Sequence, residues 1–255
     1  VREYIMIYQC EDMTKVKELF KNQTSTMIIS CLQKVMGKIY VDCLDNPQSA
    51  IAILGDFCYI VGIVNEDMLS IIKKDFMIVI PCHLEWQNFI EEKYQKNIKK
   101  ITRYAFKKEK NIFDIRKLEN IVSYLPQKYQ LKLIDEDLYH NCKKDSWCHD
   151  FVSQYEDYQT YQNLGIGIVI LKDNQIISGA SSYSRYKEGI EIEIDTHINY
   201  RKQGLALICA AKLILECLNK NLYPSWDAHN LASVQIAQKL GYHFEQEYVA
   251  YEFYK

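Results

Sequence analysis

The run Ile194-Asp195-Thr196-His197-Ile198-Asn199-Tyr200-Arg201-Lys202-Gln203-Gly204-Leu205-Ala206 leads a strand into a short basic loop and then into the first turn of a helix. Ile190, Ile192 and Ile194 alternate with Glu191, Glu193 and Asp195, which predicts a strand over 190–198. The stripe Leu207, Ala211, Ile214, Leu215 and Leu218 predicts a long amphipathic helix over 203–219. Gly204 and Ala206 keep side-chain bulk away from the N–H groups that a helix start leaves without intrahelical acceptors. Such a turn suits a pyrophosphate, because the positive end of the helix dipole adds to the charges of Arg201 and Lys202. Simple helix packing is the other reading of an isolated Arg-x-x-Gly-x-Ala. The turn is neither a Walker loop nor a Gly-x-Gly-x-x-Gly dinucleotide fingerprint.

Working outward, the second half reads β-β-β-α-β-α-β. Its strands are expected at 165–171, 175–183, 190–198, 225–228 and 242–254, and its helices at 203–219 and 233–240. Upstream lie a helix at 113–125 stopped by Pro126, a strand at 129–134, Asp135 as a helix cap, and a polar, partly helical stretch over 136–163. The first half predicts helices at 13–22, 27–36 and 83–95. It also predicts a hairpin of 49–54 with 57–63 about Gly55-Asp56, a buried strand at 76–80 stopped by Pro81, and a strand at 98–106. Lys107-Lys108-Glu109-Lys110 is the most polar run of the middle and marks the expected boundary. The chain therefore reads as mixed α/β (α+β), with an N-terminal α/β domain over 1–110 and a second domain over 111–255. No repeat of 20–50 residues is visible in the sequence.

Composition narrows the class. Of 255 residues, 48% are apolar and 25% charged, which excludes disordered and collagen-like chains. Lys plus Arg number 31 against 33 Asp plus Glu, a balance that argues against nucleic acid as the main partner. Nine cysteines, an odd number with no Cys-x-x-Cys pair, fit neither a zinc site nor a disulfide scaffold, so no metal is expected and the thiols read as free. Val1-Arg2-Glu3-Tyr4-Ile5-Met6 has no signal-peptide core, and no apolar run approaches the ~20 residues of a membrane span. The expectation is a cytoplasmic protein without a membrane partner, and a homodimer is left open.

Two segments carry a resemblance. Arg201-x-x-Gly204-x-Ala206 after a meander strand resembles motif A of the GNAT acyl-CoA N-acyltransferase superfamily. Asn230-Leu231-Ala232-Ser233, running on to Lys239-Leu240-Gly241-Tyr242, is similar to the second motif of that superfamily, on the β-α-β that closes its fold. Asp195-Thr196-His197, Trp226 and Ala228-His229-Asn230 are nearest to a bacterial branch that resembles zwittermicin A resistance acetyltransferases. The likeness covers about 165–245.

The resemblance implies a GNAT fold in the C-terminal half and acetyl-CoA as co-substrate, with pantetheine slotted between strands 190–198 and 225–228. It implies backbone pairing to pantetheine at Ile194 and Thr196. The pyrophosphate would fall to Arg201 and the amides of Lys202, Gln203, Gly204, Leu205, Ala206 and Leu207, with further cofactor contacts from Asn230 and Ser233. The expected reaction is direct attack by a primary amine, on a small molecule, in a ternary complex. The tyrosine that usually protonates the leaving thiolate would fall at Ala237, with Tyr242, His243 and His229 nearby in sequence.

Among the residues themselves, Glu191, Glu193 and Asp195 share one face of their strand, and a general base on that face is the functional reading; a salt-bridged strand face is the bland one. Glu193 is the first choice and His197 the second, with Glu191 or Asp195 supporting the charge of the acceptor. Trp147-Cys148-His149 could suggest a nucleophile pair, but adjacent residues point apart on most backbones. Trp226 reads as a core ring before a substrate platform. The alternative function is an acyl-CoA-binding sensor or interaction protein that keeps the fold without turnover, which Ala237 favours. The first half would shape the acceptor side.

Overall fold

A computed structural model of the chain describes residues 6–72, 75–95 and 97–254. These fall into two compact units, one of residues up to Arg103 with those from Glu247 onward, the other Tyr104–Gln246. The chain crosses between them at 103/104, ahead of the run 107–110 where the boundary was expected, and again at 246/247. The lysine-rich run is a continuation of a strand edge: the Lys107 amide donates to the His243 carbonyl at 2.9 Å, and the Lys107 carbonyl accepts from the Tyr223 hydroxyl at 3.2 Å.

The first unit runs β1 (Tyr8–Gln9), α1 (Thr26–Leu32), β2 (Lys38–Val41), β3 (Ser49–Leu54), β4 (Phe57–Gly62), β5 (Phe76–Pro81), α2 (Leu84–Tyr94) and the start of β6 (Ile98–Phe106). β1 to β4 are antiparallel neighbours, with the expected hairpin at β3–β4, and β5 joins β4 in parallel. Trp86 from α2 sits in the core of this unit and donates from Nε1 to the Gly62 carbonyl at 2.9 Å. Two expected helices are shorter than the apolar spacing suggested. Over 13–22 there is a 3-10 helix at Met13–Lys15, capped by the Asp12 carboxylate, which accepts from the amide and the hydroxyl of Thr14 (3.1 and 2.6 Å), and the rest of the stretch is turns. The helix expected over 27–36 ends at Leu32, and Lys34 turns left-handed at φ 57°.

The second unit contains α3 (Ile115–Ser123), β7 (Gln130–Leu133), α4 (Glu136–Lys144), α5 (Tyr158–Leu164), β8 (Gly167–Lys172), β9 (Gln175–Tyr186) and β10 (Gly189–Thr196). Then come α6 (Leu205–Asn219), β11 (Tyr223–Ser225), β12 (Asp227–Ala228), α7 (Leu231–Leu240) and the first residues of β13 (Phe244–Tyr254). Its sheet runs β7-β8-β9-β10-β11, antiparallel except for the parallel pair β10–β11. Ile190 and Ile192 from β10 join Ile208, Ala211 and Ile214 from α6 in one core, so the isoleucine face of the strand is covered and the carboxylates point the other way. The Asp135 carboxylate caps α4 by accepting from the Leu138 amide at 3.0 Å. The strand expected over 190–198 stops at Thr196, where His197 caps a 3-10 turn at Ile198–Tyr200.

Both units run through one succession of elements. A strand is followed by a stretch of short helices, three antiparallel strands, a helical stretch, a strand parallel to the third, a helix and a last strand. In the first unit these are β1; Met13–Lys15 and α1; β2, β3 and β4; a 3-10 helix at Glu66–Ile71; β5; α2; and β6. In the second they are β7; α4, a 3-10 helix at His149–Phe151 and α5; β8, β9 and β10; a 3-10 helix at Ile198–Tyr200 with α6; β11 with β12; α7; and β13, whose residues from Glu247 onward belong to the first unit. Among the described residues no helix is long and apolar enough to cross a membrane.

Candidate active site

β10 is flanked on both sides at its start and differently at its end. Gly189, Ile190 and Glu191 pair with Tyr223, Pro224 and Ser225, and there the parallel pairing stops. Ile192 to Thr196 continue beside β9, whereas Asp227 and Ala228 pair instead with Ala105 and Tyr104 of β6. The change of partner happens at Trp226. Its Nε1 donates to Ser233 Oγ at 3.1 Å, and its ring lies 5.5 Å from that of Tyr242, whose hydroxyl donates to the Pro224 carbonyl at 2.6 Å. These contacts fasten the strand to α7 and draw it off β10. A wedge opens from Glu191 and Ser225 toward Thr196, and Trp226, only 5% exposed, is the core ring that holds it open.

The tie from Tyr242 is structural, and burial pushes its hydroxyl well above the usual range. Tyr242→Phe leaves the Pro224 carbonyl without its donor and is expected to cost about 1–3 kcal/mol in stability. Chemical denaturation should register that loss while kcat stays within about twofold.

The three carboxylates of β10 differ in what surrounds them. Asp195 is committed to the loop that follows: its Oδ1 accepts from Arg201 at 3.2 Å and from the Thr196 amide at 2.7 Å. Glu191 is 6% exposed at the apex of the wedge, with Lys108 close enough to feel its charge. Glu193 is half-buried between them, on the same face. Opposite Glu191 across the β9–β10 ladder stands Ser184, whose buried Oγ has no hydrogen-bond partner among the described residues.

Beyond the strand, Arg201 turns back on its own loop and donates from Nε to the Thr196 carbonyl at 2.9 Å. Thr196 thus has both backbone groups engaged, which leaves Ile194 as the residue of that parity to extend a ladder along the open edge. Lys202 and Gly204 both turn left-handed, at φ 62° and 77°. A Cβ on Gly204 would meet no heavy atom within 4 Å, so glycine serves the backbone angle and leaves open space in front of the helix start. Gly204 is the cap of α6 and offers no side-chain acceptor to its first amides, while Leu205 anchors the turn in the core. Exposed Lys202 flanks this start, and Gln203 accepts from the Tyr129 hydroxyl at 3.0 Å.

These features suit an extended, apolar arm along the wedge and a dianionic group at the mouth of α6. The family model for GNAT acetyltransferases matches residues 17–251. The chain belongs to the GNAT acetyltransferase family. A GCN5-related N-acetyltransferase-like protein from Streptococcus suis 89/1591 has a similar structure, with a TM-score of 0.92 and 45% identity over 94% of this chain and 98% of that one. An uncharacterized N-acetyltransferase of Bacillus subtilis (strain 168), YdfB, is 28% identical over 173 residues. That match takes in 65% of this chain and 62% of the relative, so the chain spans less than two thirds of its length. A tandem GNAT protein from the clavulanic acid biosynthesis pathway shares the fold at 8% identity, with a TM-score of 0.55 over 98% of both chains.

The residues expected at the second motif have local partners. Asn230 caps α7, its Oδ1 accepting from the Ser233 amide at 2.9 Å and its Nδ2 lying 2.7 Å from His229 Nε2. Ser233 Oγ is the acceptor for Trp226. Ala237 is fully buried in the core, so no hydroxyl stands where the usual donor would be. His243 lies 2.7 Å from the Glu109 carboxylate. The sequence reading missed the hydroxyls at the apex, Tyr186 and Ser225, which lie 3.1 Å apart and are buried. Burial raises the Tyr186 hydroxyl to about 12. No local signal marks them, since Tyr186 ends β9 and Ser225 ends β11, and the two hydroxyls meet only through the pairing of the sheet.

His197 accepts on Nδ1 from the Asn199 amide at 3.4 Å, and its ring packs edge-on to Trp147 with centroids 5.4 Å apart. Cys148 is buried and bonds to the Asp145 carbonyl, while His149 faces Asp150 at 3.6 Å, so the two do not form a nucleophile pair. Among the described residues no group of three or more His, Cys, Asp or Glu is placed to hold a metal.

Proposed function

We propose that the protein is an acetyl-CoA-dependent N-acetyltransferase that acts on a primary amine of a small molecule, by direct attack in a ternary complex. The observation that carries this reading is the wedge between β10 and β11 with an uncapped, left-handed glycine start of α6 at its mouth. Ile194 would pair with the pantetheine arm, as would Thr196 if its own bonds to Asp195 and Arg201 open. The amides of residues 202–207 would receive the pyrophosphate, with Lys202 adding charge and Arg201 bracing the loop. Asn230 and Ser233 would act on the cofactor through the helix start that they shape. Bound acetyl-CoA supplies the thioester carbonyl that the amine attacks.

Glu193 takes the proton of the incoming ammonium, and Glu191 holds negative charge at the apex. His197, at the far end of the strand, is the second choice of base. With Ala237 at the usual donor position, Tyr186 and Ser225 are the hydroxyls nearest the apex, and the low basicity of a thiolate lets it depart without full protonation. We assign the second unit as the catalytic domain and the first as a non-catalytic copy of the same succession. Where α6 starts with glycine and cations, the corresponding 3-10 helix of the first unit carries Glu66 and Asp67 in its first turn, which repel a phosphate. Calorimetric titration is therefore expected to give one acetyl-CoA per chain, and a stoichiometry of two would overturn the assignment. A cytoplasmic location accords with the unpaired thiols.

The function itself is tested by thiol release over a panel of primary amines. Release that depends on the amine, with the acetylated amine recovered, supports the transferase. Ala237 favours a second reading, an acyl-CoA sensor, which predicts acetyl-CoA binding with no thiol release across the panel.

A further inference from the structure

An open cleft of about 370 Å³ lies beside His197, where the segment after α4 meets the β8–β9 turn and the end of β10. Among the side chains around it are Asn141, Asp145, Trp147, Gln175, His197 and Tyr200. The Tyr200 ring centroid is 5.9 Å from that of His197, so three rings line one wall in continuous contact from Trp147 to Tyr200. Asp145 is the carboxylate of the lining, and no lysine or arginine belongs to it. A site for phosphate would show the opposite balance, so the cleft does not extend the pyrophosphate turn. Aromatic faces beside one carboxylate favour a cation carried on an apolar frame. Lys172 already shows this chemistry, with its ammonium 5.5 Å from the Tyr200 ring centroid.

We infer that this cleft binds a second protonated amine of the acceptor, at the end remote from the nitrogen that is acetylated. The inference rests on the acetyltransferase reading and deepens it by naming the substrate class: a diamine or longer polyamine. Four residues of extended chain separate Glu193 from His197, a span of roughly 13 Å at ~3.3 Å per residue. The two nitrogens of a good acceptor must bridge a distance of that order, so length as well as charge is selected.

The test uses linear diamines from propane- to decane-diamine and the monoamines of matching length. Each is titrated calorimetrically into the full chain and then offered as an acceptor with acetyl-CoA. The long diamines are expected to bind about tenfold more tightly than the matching monoamines, since an exposed carboxylate and a cation–π wall together supply a preference of that order. Asp145→Asn should bring the two series within about twofold, and in turnover the change should fall on the acceptor KM while the KM for acetyl-CoA holds. Trp147→Leu should act in the same direction, with its melting curve checked against the parent. Equal affinity for diamines and monoamines in the parent protein overturns the inference, as does a diamine preference that survives both substitutions. The calorimetric arm needs no turnover. A protein that prefers diamines yet releases no thiol would sink acetyl transfer while leaving the cation cleft standing.

Discussion

Gly204→Glu is expected to raise the Kd for acetyl-CoA by at least about a hundredfold. Two effects act together at this residue. Glycine holds φ at 77°, where any L side chain is strained at a cost of roughly 1–2 kcal/mol. The space a Cβ would enter holds no protein atom, so the new side chain need not displace the core, and its carboxylate lies at the mouth of the helix where the pyrophosphate is assigned. A loss of affinity much larger than the loss of stability is the expected signature. Calorimetry gives the first and thermal unfolding the second. Affinity within about threefold of the parent would place the cofactor elsewhere.

Glu193→Gln is expected to lower kcat/KM by about 10²–10⁴, the usual range for removing a positioned base, with acetyl-CoA affinity unchanged. Burial and partners separate the three carboxylates: Asp195 is bound to Arg201 and to the Thr196 amide, Glu191 is closed in at the apex beside Lys108, and Glu193 lies between them, half-buried. Glutamine keeps the size and hydrogen-bonding capacity, so packing should survive. A fall smaller than about threefold at neutral pH would pass the role to His197 or to solvent. Lost acetyl-CoA affinity would make Glu193 structural.

Much of the fold was legible because local pattern and tertiary role agree. The hairpin β3–β4, the strand β5, the meander β8–β10 and the helices α6 and α7 all stand where apolar period and turn residues put them. The departures have tertiary causes. A single strand was expected over 225–228, but Trp226 is drawn to Ser233 and Tyr242, and the chain changes partners there. Nothing local in Ser225-Trp226-Asp227 encodes that exchange. The left-handed turn at the start of α6 was readable because it needs a particular backbone, and glycine reports it. The engagement of Thr196 and Arg201 was not, since both bonds depend on how the loop closes on itself. The shared succession of the two units left no trace as a sequence repeat. Packing constrains only apolar period, and the first unit lacks a glycine turn where the second has one.

The decisive measurement is a structure of the protein with bound acetyl-CoA, or with a non-hydrolysable thioether of it. The expected result is one molecule per chain, with its pantetheine along the open edge of β10 at Ile194, its pyrophosphate on the amides of residues 202–207, and its acyl carbon at the apex within reach of Glu193. A cofactor bound in the first unit, or one whose acyl carbon lies away from the carboxylate face of β10, would contradict it.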